Sequence, residues 1–231
     1  IEQGGPEKLL EAIAKFGVTH LGTAPTAYKA MLSQPVLDEA LKTLRYCISA
    51  GEHLPEAIWR AWKERTGIAI TDGIGSTEMM HIFVSAAGDN IRPGSTGKAV
   101  PGYEATVLDP DGNPLTEGVG RLAIKGPTGC RYLHDPRQRD YVVNGWNVTG
   151  DTYRRDADGY YWYLARSDDM IVSSGYNIGA PEVENALLSH HAVAECAVIG
   201  VPCPERGQKL KAFVVLAAGA LSSDALVAEL Q

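Results

Sequence analysis

Apolar residues recur at helical spacing near the start of the chain and in short runs between the predicted helices. In Pro6–Phe16 they fall every three or four positions, which predicts an amphipathic helix that Gly17 ends. The same pattern predicts two more helices, at Pro25–Leu32 and Pro55–Thr66. It also predicts three short strands, at Val18–Gly22, Leu44–Ser49 and Ile68–Ile70. Because helices and strands alternate, residues 1–92 are predicted to form a parallel α/β layer.

Turn residues become frequent after residue 92. Asp111-Gly112 and Asp158-Gly159 are hairpin signals, and β-rich runs such as Glu104–Leu108 and Arg121–Lys125 lie between the turns. This pattern predicts an antiparallel sheet or a small barrel over residues 93–165. Residues 1–165 would then form one large domain with two subdomains.

A third pattern begins at Arg166. Strand-like runs at 170–173, 194–200 and 212–216 accompany a predicted helix over Pro181–Leu188, and Ser222 or Ser223 can cap one more helix. Residues 166–231 are therefore predicted to form a small, incomplete α+β domain. The predicted fold class is α/β: a partial parallel α/β layer and a β-barrel-like subdomain, followed by this small domain.

Composition narrows the classes of function. The chain has 231 residues, 45% of them hydrophobic, which is enough for a packed core. A net charge of −7 argues against a general nucleic-acid binder, which needs a basic surface. The four cysteines form no zinc pattern and are interpreted as reduced thiols. The segment Ile1–Gly5 does not resemble a signal peptide and no apolar run reaches membrane-spanning length, so a cytoplasmic location is predicted.

The stretch from Gly73 to Phe83 combines small, hydroxyl and acidic residues with an apolar run. Gly73 and Gly75 allow the backbone to approach a ligand closely, Thr77 can donate to a phosphate oxygen, and Glu78 can hold Mg²⁺. The alternative is a glycine-rich turn followed by residues that cap a helix.

Two later stretches carry further candidate residues. Thr149-Gly150-Asp151 is either a β-turn or a binding turn, and Arg166–Asp169 is either a solvated charged turn or part of a site. Ser174-Gly175 follows shortly afterwards. Each stretch alone is a weak signal, but their order and spacing together are specific.

Four segments share the order and spacing of motifs in one enzyme superfamily. They are Ser49–His53, Asp72–Glu78, Thr149–Asp151, and Arg166–Asp169 running into Ser174-Gly175. They resemble, in turn, the adenine-binding segment, the x-T-E core motif, the TGD motif and the GRxDD hinge of the adenylate-forming superfamily. That superfamily includes acyl- and aryl-CoA synthetases, adenylation domains of peptide synthetases, and luciferases. The resemblance covers essentially the whole chain.

The resemblance implies roles for the matched residues. Cofactor contacts are implied for Gly51, Glu52, His53, Asp72, Gly73, Thr77, Asp151, Arg166, Ser174 and Gly175. Thr77 and Glu78 would be catalytic, with Thr77 on a phosphate and Glu78 on Mg²⁺. Asp151 would accept hydrogen bonds from the ribose hydroxyls, and Asp168 would be the hinge. The implied cofactors are ATP or AMP, Mg²⁺ and coenzyme A, whose pantetheine chain would pass Ser174-Gly175.

The chain departs from the family pattern in several places. The phosphate-binding loop and the late catalytic lysine of the family have no counterpart in it, so the chain is interpreted as a fragment that is inactive alone. Ala165 stands where the family usually has Gly, and Asn177 stands where acetate-type members usually have Arg.

The run from Asp72 to Phe83 resembles that of benzoate- and 2-aminobenzoate-type CoA ligases. The resemblance implies a flat pocket for an aromatic ring, lined by Tyr28, Gly73, Ile74, Gly75 and His81. Core packing remains an open alternative for Tyr28 and His81.

Three functions remain open. In the first, the parent protein is an AMP-forming acid–thiol ligase for benzoate-like acids. In the second, it is an adenylation domain that loads a carrier-protein thiol. In the third, the chain is a non-catalytic nucleotide-binding or structural fragment. The expected partners are an aryl carboxylate, ATP and coenzyme A, with neither nucleic acid nor a membrane among them. Cut sheet edges also predict self-association of the fragment.

Overall fold

The computed structural model describes residues 4–231, which form two compact units. The larger unit extends to Thr149 and includes Tyr153–Tyr163, and the smaller unit comprises Gly150–Thr152 and Leu164–Gln231. Residues 1–3 lie outside the described residues. They belong to the predicted layer of residues 1–92 and to the stretch Ile1–Gly5.

The helices follow the predicted spacing closely. Within residues 4–231, α1 to α7 are Pro6–Phe16, Pro25–Leu32, Leu37–Ala40, Glu56–Thr66, Gln138–Tyr141, Ala180–Leu188 and Asp224–Glu229. Helix α1 ends at Gly17, whose φ of 62° lies in the left-handed region that glycine tolerates. Helix α7 is capped by Ser223, whose hydroxyl accepts a hydrogen bond from the Leu226 amide at 3.1 Å.

The strands are more numerous than the sequence pattern predicts. Strands β1 to β15 are His20–Thr23, Tyr46–Ser49, Ile70–Ser76, His81–Ser85, Lys98–Ala99, Glu104–Leu108, Pro114–Leu115, Gly118–Lys125, Val142–Val143, Trp146–Arg155, Tyr161–Arg166, Ile171–Ser173, Tyr176–Ile178, Val193–Cys203 and Gly207–Leu216. The largest departure is β3, which continues to Ser76 through a segment predicted to be a turn.

The first sheet has the order β1-β2-β3-β4-β5. Its first three strands are parallel, as predicted, while β4 and β5 are antiparallel to their neighbours. Apolar side chains of α1, α2 and α4 pack into one core with β1–β3, and Tyr28 and Trp62 meet there edge to face at 4.8 Å. The predicted parallel layer is therefore extended by an antiparallel hairpin.

The second sheet is open. Its order is β11-β10-β8-β6-β7, and β9 pairs with β10 off this path. The predicted barrel-like form is wrong for residues 4–231, because β7 and β11 end the sheet instead of closing it. The alternative prediction was an antiparallel sheet. It agrees with the pairing of β6, which is antiparallel to both β7 and β8.

The third sheet lies in the smaller unit. Its order is β13-β12-β15-β14, and its pairings are antiparallel. Helix α6 packs on it through Leu187, which shares a core with Ile171 and Val198. This is the α+β character that the sequence predicts after Arg166.

Candidate functional site

Three predicted site segments start side by side where the parallel pairing of β1, β2 and β3 ends. Thr23 of β1 lies opposite Ser49 of β2, and Ser49 lies opposite Asp72 of β3. Open α/β sheets usually bind ligands at this edge. The predicted pocket segment after Thr23 and the predicted adenine segment from Ser49 therefore begin beside the core motif.

The stretch from Gly73 to Phe83 is a β-hairpin. Strand β3 continues through Gly75 to Ser76, pairs with β4, and turns at residues 77–80. The glycines lie in β3 and not in a turn, and residues 77–80 form a single turn instead of a helix. Ser76 caps this turn, because its hydroxyl accepts a hydrogen bond from the Met79 amide at 3.2 Å and its carbonyl oxygen accepts one from the Met80 amide at 2.9 Å. Thr77 is exposed at the tip of the hairpin, and Glu78 beside it is half-buried.

The two glycines of the motif have a packing role in this hairpin. A Cβ atom on Gly75 would lie 2.5 Å from the carbonyl oxygen of His81, and one on Gly73 would lie 2.7 Å from Cγ2 of Ile82. A side chain at Gly75 would thus strike backbone of the paired strand. Close approach of β3 and β4 explains these glycines without a ligand, and their predicted place in an aromatic pocket stays a prediction.

Glu78 is held by a residue from a distant loop. The hydroxyl of Tyr132 donates a hydrogen bond to Oε1 of Glu78 at 2.7 Å. This bond is the main cause that lowers the pKa of Glu78, and it raises the pKa of Tyr132 to about 12. The Glu78 carboxylate is therefore ionised near neutral pH, which the predicted role as a Mg²⁺ ligand requires.

Asp72 has a buried carboxyl group. Burial raises its pKa to about 7, against the opposing effects of the Ser49 hydroxyl and the Gly73 amide. A carboxyl that carries a proton near neutral pH can donate a hydrogen bond as well as accept one. This is compatible with the cofactor contact predicted for Asp72.

His53 is half-buried and stacks on an aromatic ring. Its ring centroid lies 5.1 Å from that of Tyr163, and burial lowers its pKa to about 4, so the imidazole is neutral. Gly51 before it has a φ of 94°, a backbone conformation that favours glycine. The side chain of Glu52 is exposed and accepts a hydrogen bond from Thr26 at 3.4 Å.

Asp151, Arg166 and Asp168 lie together in the smaller unit. A guanidinium nitrogen of Arg166 lies 3.4 Å from Oδ1 of Asp151, and another lies 3.7 Å from Oδ1 of Asp168. A Cβ atom on Gly150 would lie 2.4 Å from the same guanidinium, so the small residue of the TGD stretch leaves room for Arg166. Asp151, predicted to contact ribose, and Arg166, predicted to contact ribose or phosphate, are therefore neighbours, and the predicted hinge residue Asp168 adjoins them.

Ser174 and Gly175 form the tight turn between β12 and β13. Both have positive φ values, 50° and 83°, as the two-residue turns favoured in hairpins require. The Ser174 amide donates to the carbonyl oxygen of Arg206 at 2.9 Å. The predicted contact of this turn with coenzyme A stays a prediction.

The remaining predicted pocket residues differ in exposure. Tyr28 is fully buried, and its hydroxyl donates to the carbonyl oxygens of Leu21 and Ile48. Tyr28 therefore packs in the core, which was the alternative to lining a pocket. Ile74 is partly buried beside a second core cluster. His81 is exposed, and its ring lies nearly parallel to that of Tyr103 at 6.3 Å.

Two kinds of feature are absent from the described residues. Across residues 4–231 there is no group of three or more His, Cys, Asp or Glu side chains that could hold a metal ion. None of the described helices is long and apolar enough to cross a membrane.

Sequence patterns alone missed two aromatic residues of the site. Tyr132 lies in an irregular loop 54 residues from the glutamate that it contacts, and Tyr163 lies 110 residues from His53. Neither has a periodic or motif signal. Only the folding of the second sheet brings them to these positions.

The family models of known proteins match most of the chain. The model of the AMP-binding enzymes matches residues 2–132, and the model of the AMP-binding enzyme C-terminal domain matches residues 182–231.

Individual relatives are similar over nearly the whole chain. A benzoate–CoA ligase from Thauera aromatica is 40% identical over 100% of this chain and 45% of its own length. The mitochondrial acyl-coenzyme A synthetase ACSM4 of Rattus norvegicus is 38% identical over 99% of this chain and 41% of its own. The chain spans less than half the length of these relatives.

A solved structure shares the fold. The crystal structure of the anthranilate CoA ligase AuaEII in complex with anthranoyl-AMP has a TM-score of 0.88, with 43% identity over 97% of this chain and 44% of its own. Because one family model matches more than half of the residues, the chain belongs to the family of AMP-binding enzymes.

Proposed function

We propose that this chain is the carboxyl-side part of an ATP-dependent acid–thiol ligase that acts on aryl carboxylates. The observation that carries the proposal is the alignment of Thr23, Ser49 and Asp72, at which the parallel pairing of β1–β3 ends. This alignment supports a nucleotide site next to these residues, because open α/β folds usually bind ligands beyond the carboxyl ends of their parallel strands.

The proposed reaction has two steps. A carboxylate oxygen of the acid attacks the α-phosphorus of ATP, the bond to the β-phosphate oxygen breaks, and pyrophosphate leaves. The sulfur of a thiol then attacks the acyl carbon, the acyl–phosphate bond breaks, and AMP leaves with the electron pair. With coenzyme A as the thiol, the product is an aryl-CoA thioester.

The residues of the chain bind and orient the reactants. The exposed Thr77 hydroxyl donates to a phosphate oxygen, and positioning with charge stabilisation is the main source of rate in such transfers. Asp151 accepts hydrogen bonds from the ribose hydroxyls, with Arg166 beside it. Asp72 and His53 border the adenine, and Ser174-Gly175 borders the pantetheine chain.

The donor set near the hairpin tip fits Mg²⁺. Glu78 supplies an ionised carboxylate, and Mg²⁺ is commonly held by one or two carboxylates together with substrate phosphates. When bound, the ion would neutralise charge on the phosphate oxygens.

Benzoate- or 2-aminobenzoate-like acids are the proposed substrates. Two relatives named for benzoate and anthranilate have 40% and 43% identity, and acyl-coenzyme A synthetases follow at 37% to 39%. His81 and Ile74 of the β3–β4 hairpin would border the ring. A cytoplasmic location stays a prediction, because relatives named as mitochondrial stand beside bacterial ones.

Pyrophosphate exchange by the full-length protein tests the ligase function. Labelled pyrophosphate should enter ATP when benzoate or 2-aminobenzoate is present, and straight-chain fatty acids should support much slower exchange. The Asp151→Asn variant should bind ATP more weakly, which separates use of this site from background exchange. If none of the carboxylic acids in the panel supported exchange, the ligase function would be overturned.

The thiol acceptor is tested separately. Coenzyme A should be consumed with the formation of an aryl thioester, whereas a carrier-loading enzyme would acylate a carrier protein and leave coenzyme A unused. Calorimetry of the 231-residue chain with AMP addresses the non-catalytic alternative. If the 231-residue chain binds AMP and Asp151→Ala abolishes this binding, the chain has a nucleotide site without the rest of the parent protein.

A further inference from the structure

Tyr132 contacts the proposed metal ligand from a separate part of the larger unit. Its hydroxyl donates to Oε1 of Glu78 at 2.7 Å, and hydrogen bonds from a hydroxyl to a carboxylate are among the stronger kinds. The bond occupies one of the two carboxylate oxygens. The Ser76 hydroxyl and the backbone amide of Glu78 also donate to this carboxylate, so the carboxylate is held in a single orientation.

Tyr132 is itself fixed by its own loop. Its backbone amide donates to Oε1 of Gln138 at 2.7 Å, and its ring meets the ring of Tyr141 edge to face at 5.4 Å. The guanidinium of Arg137 lies 5.0 Å from the ring centre and forms a bidentate pair with Asp135. The phenol is therefore held on several sides and does not depend on Glu78 for its position.

We propose that Tyr132 is a positioning residue for the metal ion, acting by fixing the Glu78 carboxylate in the orientation in which it binds Mg²⁺. The inference rests on the proposed function, which makes Glu78 a metal ligand. No cluster of three acidic, His or Cys side chains exists among residues 4–231, so Glu78 binds without a protein cage around it. A flexible glutamate that must be ordered on binding loses affinity, and a fixed one does not.

A purely structural role for the bond is the competing explanation. In that case Tyr132 would only tie the loop before β9 to the hairpin of β3 and β4. Removal of the hydroxyl would then change the stability of the fold but leave metal affinity unchanged. The two roles are separated by measuring metal affinity directly.

The experiment compares three variants of the full-length protein. Tyr132→Phe removes the hydroxyl and keeps the ring, Tyr141→Phe removes a hydroxyl from the same aromatic pair and leaves the bond to Glu78 in place, and Glu78→Gln removes the carboxylate. Each is saturated with a non-hydrolysable ATP analogue and titrated with Mn²⁺, and bound Mn²⁺ is measured by electron paramagnetic resonance. Urea unfolding checks that each variant is folded.

Tyr132→Phe should weaken Mn²⁺ affinity about tenfold, the scale typical of residues that orient a metal ligand. The Mn²⁺ affinity of Tyr141→Phe should stay within about twofold of that of the wild type. Glu78→Gln should weaken Mn²⁺ affinity more than Tyr132→Phe does. In pyrophosphate exchange, the Mg²⁺ concentration for half-maximal rate should rise by the same factor in Tyr132→Phe. The rate at saturating Mg²⁺ should remain near that of the wild type.

An unchanged Mn²⁺ affinity in Tyr132→Phe, together with a loss in Glu78→Gln, would overturn the inference and leave the proposed function standing. An unchanged affinity in Glu78→Gln would overturn both the metal role of Glu78 and the inference. Failure of exchange with every acid would instead count against the ligase function, and the Mn²⁺ titration would still be readable.

Discussion

The buried carboxyl group of Asp72 should make the stability of the larger unit depend on pH. Its pKa is raised from 3.8 to about 7 by burial, so the folded state holds a proton that the unfolded chain releases. This contribution to stability is complete below pH 4 and is lost as the pH rises to 7, by up to about 4 kcal/mol. Asp72→Asn should therefore gain stability relative to the wild type at pH 8 but not at pH 4.

Urea unfolding of both proteins at pH 4 to 8 measures this difference. Asp89→Asn, at an exposed aspartate of the same unit, is the control and should leave the pH profile unchanged. Parallel profiles for the wild type and Asp72→Asn would contradict the raised pKa, because they would show that the carboxyl group binds protons equally in the folded and unfolded states.

His53 should act in the opposite direction. Its pKa is lowered from 6.5 to about 4, so its contribution to stability is complete above pH 6.5 and is lost as the pH falls toward 4. His53→Phe keeps a ring against Tyr163 and removes the titration. Between pH 6.5 and 5 the wild type should lose about 2 kcal/mol through this group, and the variant should not.

The two effects oppose each other in the wild type. Between pH 5 and 6.5 the Asp72 contribution falls with rising pH while the His53 contribution grows, so the wild-type profile should be nearly flat. Unfolding of the double variant alongside both single variants checks this cancellation. Single-variant profiles that slope in the same direction would contradict it.

At the scale of elements, local signals decided which predictions were right. Helix α1 was predicted to the residue, because Pro6 begins it, Gly17 ends it and apolar residues mark one face between them. The β3–β4 hairpin was missed, because its strands contain glycines and its turn carries neither Asn-Gly nor Asp-Gly. Pairing between strands, which no local pattern encodes, decided its backbone.

Helix α4 allows a prediction with a matched pair of tryptophans. Trp62 is fully buried against Tyr28, whereas Trp59 is partly buried and its indole N–H donates to the Ile70 carbonyl oxygen at 2.8 Å. Trp62→Ala should reduce the free energy of unfolding by about 3 to 5 kcal/mol, because it leaves a large cavity. Trp59→Phe should cost about 1 kcal/mol for the lost hydrogen bond.

Urea unfolding of both variants checks the order of the two effects. A smaller loss for Trp62→Ala than for Trp59→Phe would contradict the assigned core. Tryptophan fluorescence of each single variant would show which indole reports on unfolding of this core.

At the scale of the whole molecule, the sequence identified the family but not the contacts of the site. The resemblance to the superfamily was confirmed by the match to the AMP-binding enzymes, although the predicted motifs at 149–151 and 166–175 lie between the two matched ranges. It named Thr77 and Glu78 because they lie within a motif. It could not name Tyr132, whose contact with Glu78 depends on how the loop after β8 folds over the hairpin.

The smaller unit has exposed apolar side chains that should promote self-association. Ile199, Phe213 and Val215 lie on one face of the β14–β15 hairpin, between Lys211 and Glu195, and are 46%, 50% and 56% exposed. Adjacent apolar side chains of this exposure gain free energy when they are buried against another molecule. The 231-residue chain should therefore form oligomers as its concentration rises.

Sedimentation velocity over a range of concentrations tests this prediction. A variant with Phe213→Gln and Val215→Thr should remain monomeric at concentrations where the wild type associates. Leu221→Gln, at an 84% exposed residue outside the hairpin, should behave as the wild type does. Added salt should strengthen association of the wild type, because it screens the repulsion between chains of net charge −7. A wild-type chain that sediments as a monomer at every concentration and salt level would contradict an associating face.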